Sequence, residues 1–436
     1  MLLNKWVFAA VCWTWASLAS AAPYIVLFKA ETSAPDANAK VIHKKVMEDR
    51  QQANDRNIGA LFQALGVPKD SVPYTNLWLI SGLAIDLKDQ DIENVKKIEL
   101  VAKVLPDQSR VYIKPDFSVR GLPAQDWGLQ RLSIPELRTQ FPEALGKGVR
   151  VGIIDTGIQS RHPEFDQKNL VVFHDFVNHL ASPYDDQGHG THVAGTIAGA
   201  TTGVAPLVDI YMAKAFSASG SAYDSWLLEA MQWMFDPDGD ANTDDFPLLV
   251  NNSWGLDLPF DINDLDAFEP LHRAIQAWSE AHIIPVFAAG NTGAAPNGMP
   301  GGFPEALAIA AIDDHSGVAE FSSRGPNYWK AGDQVLTLFK PDFAAPGVDI
   351  YSAWPGNGYE YLSGTSMATP HASGSIALIL QQTGRLSTGQ LKTLLLYSME
   401  TKFDFNYGSG IINPLAALKM LQAPADHPAP KLGLPH

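Results

Sequence analysis

Three short segments of the chain carry side chains that together could perform acyl transfer. They contain an acid, an imidazole and a hydroxyl, in the order Ile-Ile-Asp155-Thr-Gly, Gly-His189-Gly-Thr-His-Val-Ala-Gly and Gly-Thr-Ser366-Met-Ala-Thr-Pro. A serine hydroxyl becomes a nucleophile when a base takes its proton, and the base needs a carboxylate that fixes its tautomer and stabilises its charged form. Small residues flank each of the three side chains, so the backbone can approach closely there. The set predicts nucleophilic catalysis by a serine.

The surrounding pattern predicts how these residues meet. Short apolar runs that are typical of buried parallel strands span residues 149–154, 209–215, 248–251, 283–289 and 307–312, and helical stretches span 226–235, 266–281 and 367–382. This alternation predicts an α/β domain, a mostly parallel sheet with helices on both faces. The site of such a sheet lies at the carboxyl ends of its strands. Asp155 and Asn291 each follow a strand, while His189 and Ser366 each begin a helix, so we expect all four at one edge.

The first residues predict secretion. Lys5 precedes the apolar run 6–18, and the small residues Ala19-Ser20-Ala21 follow it. This order is typical of a signal peptide, which we assign to residues 1–21 and expect to be cleaved. The apolar run is too short to span a bilayer, so an uncleaved anchor is the weaker interpretation. We expect export out of the cell or into the periplasm, with no membrane association after the signal is removed.

The composition narrows the partners and the chemistry. The net charge of −16 argues against nucleic acid, because phosphate binding requires an excess of Lys and Arg. The single cysteine, Cys12, lies inside the predicted signal. The mature protein therefore has neither a thiol nucleophile nor a disulfide, and packing, with bound ions as an open addition, must hold it together. We expect a monomer.

The chain divides into further segments. The pattern of residues 22–113 predicts a small α+β domain in which strands alternate with two helices. The extended segment 77–86 is predicted to be one of these strands. A linker at 114–127 leads to the large domain at 128–422. The tail at 423–436 is rich in proline and poor in apolar residues, so we expect it to be disordered.

The three catalytic segments resemble the signatures of the subtilisin family of serine peptidases, the subtilases. The resemblance implies Ser366 as nucleophile, His189 as general base and then acid, and Asp155 as orienting carboxylate. It implies a secreted endopeptidase with a subtilisin-like fold that cleaves polypeptides through an acyl-enzyme.

The N-terminal domain resembles the inhibitor-like propeptide of the same family. This resemblance implies a ferredoxin-like fold, and a zymogen that processes itself in or near the linker. The propeptide would then serve as an intramolecular chaperone and inhibitor.

The resemblance also implies the substrate-binding residues. Asn291 matches the residue whose side chain donates to the oxyanion of the tetrahedral intermediate. Two stretches match the walls of the pocket for the residue before the scissile bond: Ser253, Trp254 and Gly255; Ala288, Ala289 and Gly290. A third stretch, Gly220, Ser221 and Ala222, matches the edge that pairs with an extended peptide. Trp254 is bulkier than the aliphatic residue that many subtilases have there. The expected specificity is broad, with a hydrophobic residue just before the scissile bond.

The predicted chemistry requires no cofactor. The sequence leaves open whether the protein binds calcium as a structural ion. Between Gly199 and Val204 the chain lacks the longer loop that forms a tight calcium site in many subtilisins. An acidic insertion instead offers Asp236, Asp238 and Asp240 as oxygen ligands. The EF-hand pattern is not met, and a solvated acidic turn explains the same residues. The insertion resembles that of bacillopeptidase F-like subtilases.

Other functions fit less well. An esterase of the α/β-hydrolase type would carry G-x-S-x-G, but Ala368 occupies the position of the second glycine and the order of the triad differs. A peptide transferase would use the same acyl-enzyme and stays open. An inactive binding protein on the same scaffold is disfavoured because every expected catalytic group is present.

Overall fold

The computed structural model describes residues 22–29, 39–114, 124–165, 171–256, 267–331, 334–399 and 403–423. The predicted signal peptide at 1–21, the stretch 115–123 of the predicted linker and the predicted tail from residue 424 onward lie outside the described residues. Within them, no helix combines the length and the apolar character that crossing a membrane requires.

The N-terminal unit is a four-stranded antiparallel sheet with two helices. Its elements are β1 (Ala22–Phe28), α1 (Ala39–Leu65), β2 (Tyr74–Leu77), β3 (Gly82–Leu87), α2 (Asp89–Lys96) and β4 (Val101–Pro106). The strand order is β2-β3-β1-β4, and all neighbours are antiparallel. This is the ferredoxin-like order that the resemblance implied.

The prediction of a single strand over 77–86 is wrong. A short 3-10 turn, Trp78–Ile80, separates β2 from β3, and Ser81 adopts a left-handed conformation with φ of 55°. The turn is as apolar as a strand because its three residues are buried against the large domain, in one cluster with Phe235 and Leu271. An apolar run signals burial, and here a turn is what is buried.

The rest of the chain forms one large α/β domain, preceded by a short strand. Its strands are β5 (Ser109–Val111), β6 (Arg150–Asp155), β7 (Val171–Asp175), β8 (Asp209–Lys214), β9 (Ser221–Tyr223), β10 (Leu249–Asn252), β11 (Ile284–Ala288), β12 (Leu307–Ile312), β13 (Asn327–Ala331), β14 (Gln334–Leu338), β15 (Phe343–Pro346), β16 (Ile350–Trp354) and β17 (Gly358–Leu362). Its helices are α3 (Trp127–Arg131), α4 (Ile134–Gln140), α5 (His189–Ala198), α6 (Asp224–Phe235), α7 (Glu269–Glu280), α8 (Thr365–Thr383), α9 (Thr388–Ser398) and α10 (Pro414–Gln422).

Seven strands form the central sheet in the order β15-β12-β11-β10-β6-β8-β7, with every neighbouring pair parallel. The predicted parallel sheet is confirmed, and its five predicted strands are β6, β8, β10, β11 and β12. The two outermost strands were not predicted. β15 is a four-residue strand that ends in proline, and β7 is only partly buried, so neither carries the longer apolar run that identified the other strands.

Helices cover both faces of the sheet, as predicted. One buried cluster joins the sheet to α3, α4, α5, α8, α9 and α10, and a second joins it to α6 and α7. Alternation along β6 assigns Val151 and Ile153 to the first face and Ile154 to the second. By the same alternation, the side chain of Asp155 lies on the first face, which α5 and α8 cover.

Candidate active site

Asp155 and His189 form a buried hydrogen-bonded pair. Asp155 is the last residue of β6 and His189 is the first residue of α5. The Nδ1 atom of His189 lies 2.8 Å from Oδ1 of Asp155, and both side chains are almost completely buried. The backbone N–H of Thr156 donates to the same carboxylate oxygen at 2.8 Å. A strand that ends at the sheet edge and a helix that begins there therefore bring acid and imidazole together, as predicted from the sequence.

The start of α5 leaves no space for larger residues. A Cβ on Gly188, whose φ is 110°, would lie 2.4 Å from the ring of Trp354. The backbone must therefore run close to β16 for His189 to reach Asp155. Glycine alone satisfies both the conformation and the space.

Asp185 holds this junction and was not predicted from the sequence. Its carboxylate accepts five hydrogen bonds of 2.7 to 3.1 Å, from the N–H groups of Gln187, Gly188 and Thr191 and from the hydroxyls of Thr156 and Thr191. These bonds tie the end of β6 to the first turn of α5. The available signal was an aspartate four residues before the helix, in the region where such residues cap helices.

Lys214 is a second supporting residue that the sequence did not reveal. It ends β8 beside Asp155 and is fully buried. Its ammonium donates to the carbonyl oxygens of Thr156 and Phe216 at 2.7 and 2.9 Å and to Asp186 at 2.6 Å. A buried charge needs such partners, so the loop after Asp155 is fixed on this side too.

Ser366 begins α8 at the same edge. It is the second residue of the helix and is half-buried. Its hydroxyl donates to the carbonyl oxygen of Ser253 at 2.8 Å rather than to the ring of His189. Pro370 is the sixth residue of α8, so it lies in the second turn of the helix.

Asn291 lies beside the same helix start. Its Oδ1 accepts hydrogen bonds from the backbone N–H and the hydroxyl of Thr365 at 3.0 and 2.9 Å. Its Nδ2 lies 3.6 Å from the position that a Cβ on Gly364 would take. The amide is thus oriented by the residue that precedes Ser366.

The predicted substrate-binding stretches lie on neighbouring parts of this edge. Ser253, Trp254 and Gly255 directly follow β10, and Ala289 and Gly290 follow β11, which ends at Ala288. The two strands are adjacent and parallel, so both stretches emerge side by side. Ser221 and Ala222 belong to β9, which Gly220 precedes.

A segment of the chain itself lies against two of the predicted substrate-binding stretches. Strand β5 pairs antiparallel with β9, with Val111 opposite Ser221 and Arg110 opposite Ala222. The N–H groups of Tyr112 and Ile113 both point to the carbonyl oxygen of Gly220, at 3.0 and 3.2 Å. The N–H of Gly255 approaches the carbonyl oxygen of Tyr112 at 3.5 Å.

Gly220 allows this close approach, because a Cβ there would lie 2.4 Å from the carbonyl oxygen of Ile113. Its φ of 73° also favours glycine. An extended segment thus pairs with β9 and reaches Gly255, which is the geometry of strand addition.

His192 has a different environment from that of the predicted catalytic residues. The Nε2 atom of His192 contacts the carbonyl oxygens of Ile350 and Glu360 at 2.9 and 3.2 Å, and burial lowers the pKa of His192 to about 3. This histidine is therefore neutral and packed in the core.

In the insertion, the carboxylates that lie within 4.8 Å of one another are those of Asp236, Asp238 and Asp245. Asp240, a predicted candidate ligand, is not in this group, and its carboxylate accepts hydrogen bonds from Asn242 instead. Burial and the neighbouring Asp245 and Asp238 raise the pKa of Asp236 to about 6.

The short loop after Gly199 is held by a carboxylate whose oxygens already have donors. Glu164 accepts hydrogen bonds from the N–H groups and hydroxyls of Thr201 and Thr202, and from the hydroxyl of Tyr359 at 2.9 Å. These hydrogen bonds lower the pKa of Glu164 against the opposing effect of burial, which is the largest single influence. The loop after Gly199 is therefore held by hydrogen bonds to Glu164.

Several known proteins are similar to this chain. The family model described as "Subtilase family" matches residues 146–410. The chain is 30% identical to Bacillopeptidase F of Bacillus subtilis (strain 168), over 90% of this chain and 29% of that protein. It is 33% identical to Subtilisin Savinase of Lederbergia lenta, over 67% of this chain and 98% of that protein. It is 35% identical to Serine protease AprX of Bacillus subtilis (strain 168), over 62% of this chain and 65% of that protein. The chain therefore belongs to the subtilase family, a family of serine endopeptidases.

Proposed function

We propose that the chain is a secreted serine endopeptidase in which Ser366 attacks the peptide carbonyl, His189 moves the proton and Asp155 orients His189. The observation that carries this proposal is the buried pair of Asp155 and His189, with 2.8 Å between Oδ1 and Nδ1, at the edge where Ser366 begins a helix. An ionised carboxylate only accepts hydrogen bonds, so Nδ1 carries the proton. The Nε2 atom is then the one with a lone pair for the serine proton.

The proposed reaction has two steps, formation of an acyl ester on Ser366 and hydrolysis of that ester. The Ser366 oxygen bonds to the carbonyl carbon while its proton passes to His189. The carbon–nitrogen bond then breaks as His189 gives that proton to the leaving amine, and an acyl ester stays on Ser366. Water attacks the ester through the same base, and Ser366 recovers its proton. All these steps use side chains of the chain itself, so no cofactor is needed.

The hydroxyl of Ser366 has to rotate before it can react. It donates to the carbonyl oxygen of Ser253 while the segment around Tyr112 lies in the cleft. Rotation about the Cα–Cβ bond moves Oγ between staggered positions at little cost. We infer that this arrangement is the inhibited form and that the hydroxyl turns to His189 when a substrate carbonyl is present.

Asn291 is proposed to donate to the oxyanion. Replacing Asn291 with leucine should lower kcat by about 10²–10³-fold with little change in KM, which is the loss known for the corresponding donor in subtilisin. Steady-state kinetics on a peptide substrate measure both constants. Asn406→Leu, in the turn 404–408, serves as the control and should keep the wild-type kcat. A loss confined to KM for Asn291→Leu would contradict the assignment.

The N-terminal unit is proposed to act as chaperone and inhibitor before it is cut off between residues 109 and 127. Its docking on α7 supports this role: Arg273 donates to the carbonyl oxygens of Phe28 and Ile80 at 2.7 and 3.2 Å, and Lys103 lies 2.6 Å from Glu269. The strand that follows the unit lies in the substrate cleft. We propose that the exported chain cuts itself there and then works as a monomer on polypeptides, with broad specificity and a hydrophobic residue just before the scissile bond.

Docking of this unit should weaken in acid. His43 on α1 stacks on Phe246 with ring centroids 3.6 Å apart, and its Nε2 lies 2.7 Å from the carbonyl oxygen of Phe235. Burial lowers the pKa of His43 to about 4, with Arg385 acting in the same direction and Asp244 against it. The docked ring is therefore neutral. An undocked histidine takes up a proton near pH 6.5, so docking affinity is full above that pH and falls by up to about tenfold per pH unit as the pH drops toward 4.

The expected result is faster release of the cleaved unit at about pH 5 than at about pH 7.5. Activity is read after return of each sample to the same neutral buffer, so the catalytic pH profile does not contribute. His43→Phe keeps the stacking and should release at equal rates at both pH values. Equal pH dependence in wild type and His43→Phe would contradict the role of this histidine.

The proposed activity is tested by comparing peptides with short-chain esters as substrates of the processed protein. Internal cleavage of peptides supports an endopeptidase, whereas turnover of esters without peptides would contradict it. Added amino-acid amide tests the transferase alternative, because a transferase would join it to the acyl group in preference to water.

A further inference from the structure

The side chain of Tyr112 fills a pocket of its own beside the cleft. Tyr112 is 4% exposed, and its ring lies edge-on to Trp254 and Phe216, with centroid distances of 5.7 and 5.8 Å. At the inner end of the pocket the phenol hydroxyl donates to Oδ1 of Asp224 at 2.6 Å. The pocket thus combines aromatic walls with one carboxylate acceptor.

Asp224 is unusual for an apolar pocket because it is an acid that is only 8% exposed. Its second oxygen lies 3.3 Å from the guanidinium of Arg110. Arg110 and Tyr112 are two residues apart on an extended segment, so they point to the same side, whereas Val111 between them faces solvent. One carboxylate therefore contacts two alternate side chains of the bound segment.

We propose that Asp224 makes this pocket a subsite for tyrosine, so that the enzyme prefers peptides with tyrosine at the position that Tyr112 occupies in the cleft. This proposal rests on the proposed endopeptidase function, because it takes the bound segment as the guide to substrate binding. A basic residue two positions earlier adds a smaller preference, since its ion pair is partly exposed to solvent.

The preference has a physical cause in the carboxylate. A phenylalanine side chain would fill the same aromatic walls but would leave Asp224 desolvated without its phenol donor. A hydrogen bond to a charged group in such a place corresponds to about 10- to 100-fold in binding. Sites built to bond a substrate hydroxyl reject the analogue that lacks it for this reason. A pocket with apolar walls alone would favour phenylalanine equally.

Asp224 is not needed to cap the helix that it begins. The N-cap residue of α6 is Tyr223, and the first turn is held by Asp107, whose two carboxylate oxygens accept from the N–H and the hydroxyl of Ser225 at 3.0 and 2.6 Å. The carboxylate of Asp224 is directed to Tyr112 and Arg110 instead. Recognition therefore accounts for its position better than helix capping does.

The first test measures selectivity. Processed enzyme cleaves a random peptide library, and the frequencies of tyrosine and phenylalanine are compared at each position on the amino side of the cut. We expect tyrosine to exceed phenylalanine by about tenfold or more at one position in the wild type, and this ratio to fall to about one in Asp224→Leu. Asp209→Asn, at the opposite end of the sheet, should keep the wild-type ratio. A wild-type ratio below about two at every position, or an unchanged ratio in Asp224→Leu, would overturn the proposal.

The second test does not depend on catalysis. In the full chain carrying Ser366→Ala, trypsin cuts after Arg110 only when the segment leaves the cleft, and mass spectrometry identifies that cut. Tyr112→Phe should speed the cut by about tenfold, but should have no further effect when Asp224→Leu is also present. If Tyr112→Phe speeds the tryptic cut equally with and without Asp224→Leu, the proposal is overturned. If coupling is found while the processed wild type cleaves no peptide, the subsite stands and the endopeptidase function fails.

Discussion

Replacing Ser366 with alanine should abolish activity, with kcat lowered by about 10⁶-fold, the size of loss measured when the serine is removed from subtilisin. The physical reason is that the alanine side chain has no oxygen that could form the acyl ester. The residual rate would come from binding and from Asn291. The same substitution should leave the N-terminal unit uncleaved, because the proposed processing is self-cleavage.

Two measurements check this result. Kinetics on a peptide give kcat, and electrophoresis of secreted material from a protease-deficient host gives the ratio of precursor to processed chain. Ser398→Ala, which removes a hydroxyl from the end of α9, is the matched control and should process normally. Processing of Ser366→Ala at the wild-type rate in that host would contradict autocatalysis, even if peptide cleavage were lost.

Replacing Asp155 with asparagine should lower kcat by about 10⁴-fold while KM changes little. Asp155 Oδ1 accepts from both His189 and Thr156, and both partners of the pair are buried. The neutral amide cannot stabilise the imidazolium that forms when His189 takes the proton. The amide nitrogen would also take the place of Oδ2, a buried atom for which the described residues provide no hydrogen-bond partner.

Steady-state kinetics of Asp155→Asn give kcat and KM separately, and thermal denaturation gives its unfolding temperature. Asp209→Asn, at the start of β8, makes the same chemical change away from the site and should keep wild-type kinetics. A kcat for Asp155→Asn within about tenfold of the wild type would exclude Asp155 as the orienting carboxylate.

Much of this site could be predicted from sequence because its residues lie where elements end. Asp155 ends a strand, Asn291 follows one, and His189 and Ser366 lie in the first turn of helices. In a parallel sheet these positions share one edge, so local patterns alone bring together residues that are far apart in the chain. The same reasoning predicted five of the seven strands of the central sheet.

Other features depend on contacts that no local pattern encodes. The bond between Tyr112 and Asp224 joins residues 112 positions apart, and nothing around Asp224 distinguishes it from a helix-capping acid. The direction of the Ser366 hydroxyl depends on the carbonyl of Ser253, in another loop. The turn at Trp78 has the composition of a strand because it is buried by a different domain. Tertiary packing decides each of these features.

The most direct test of the central claim is covalent labelling of the processed protein with a fluorophosphonate, followed by mass spectrometry of the peptides. The claim is that Asp155 and His189 activate Ser366 and no other hydroxyl. The account predicts one adduct per chain, located on Ser366, and labelling that is lost in His189→Ala. An adduct on another residue, or a fully active preparation that takes up no label, would contradict it.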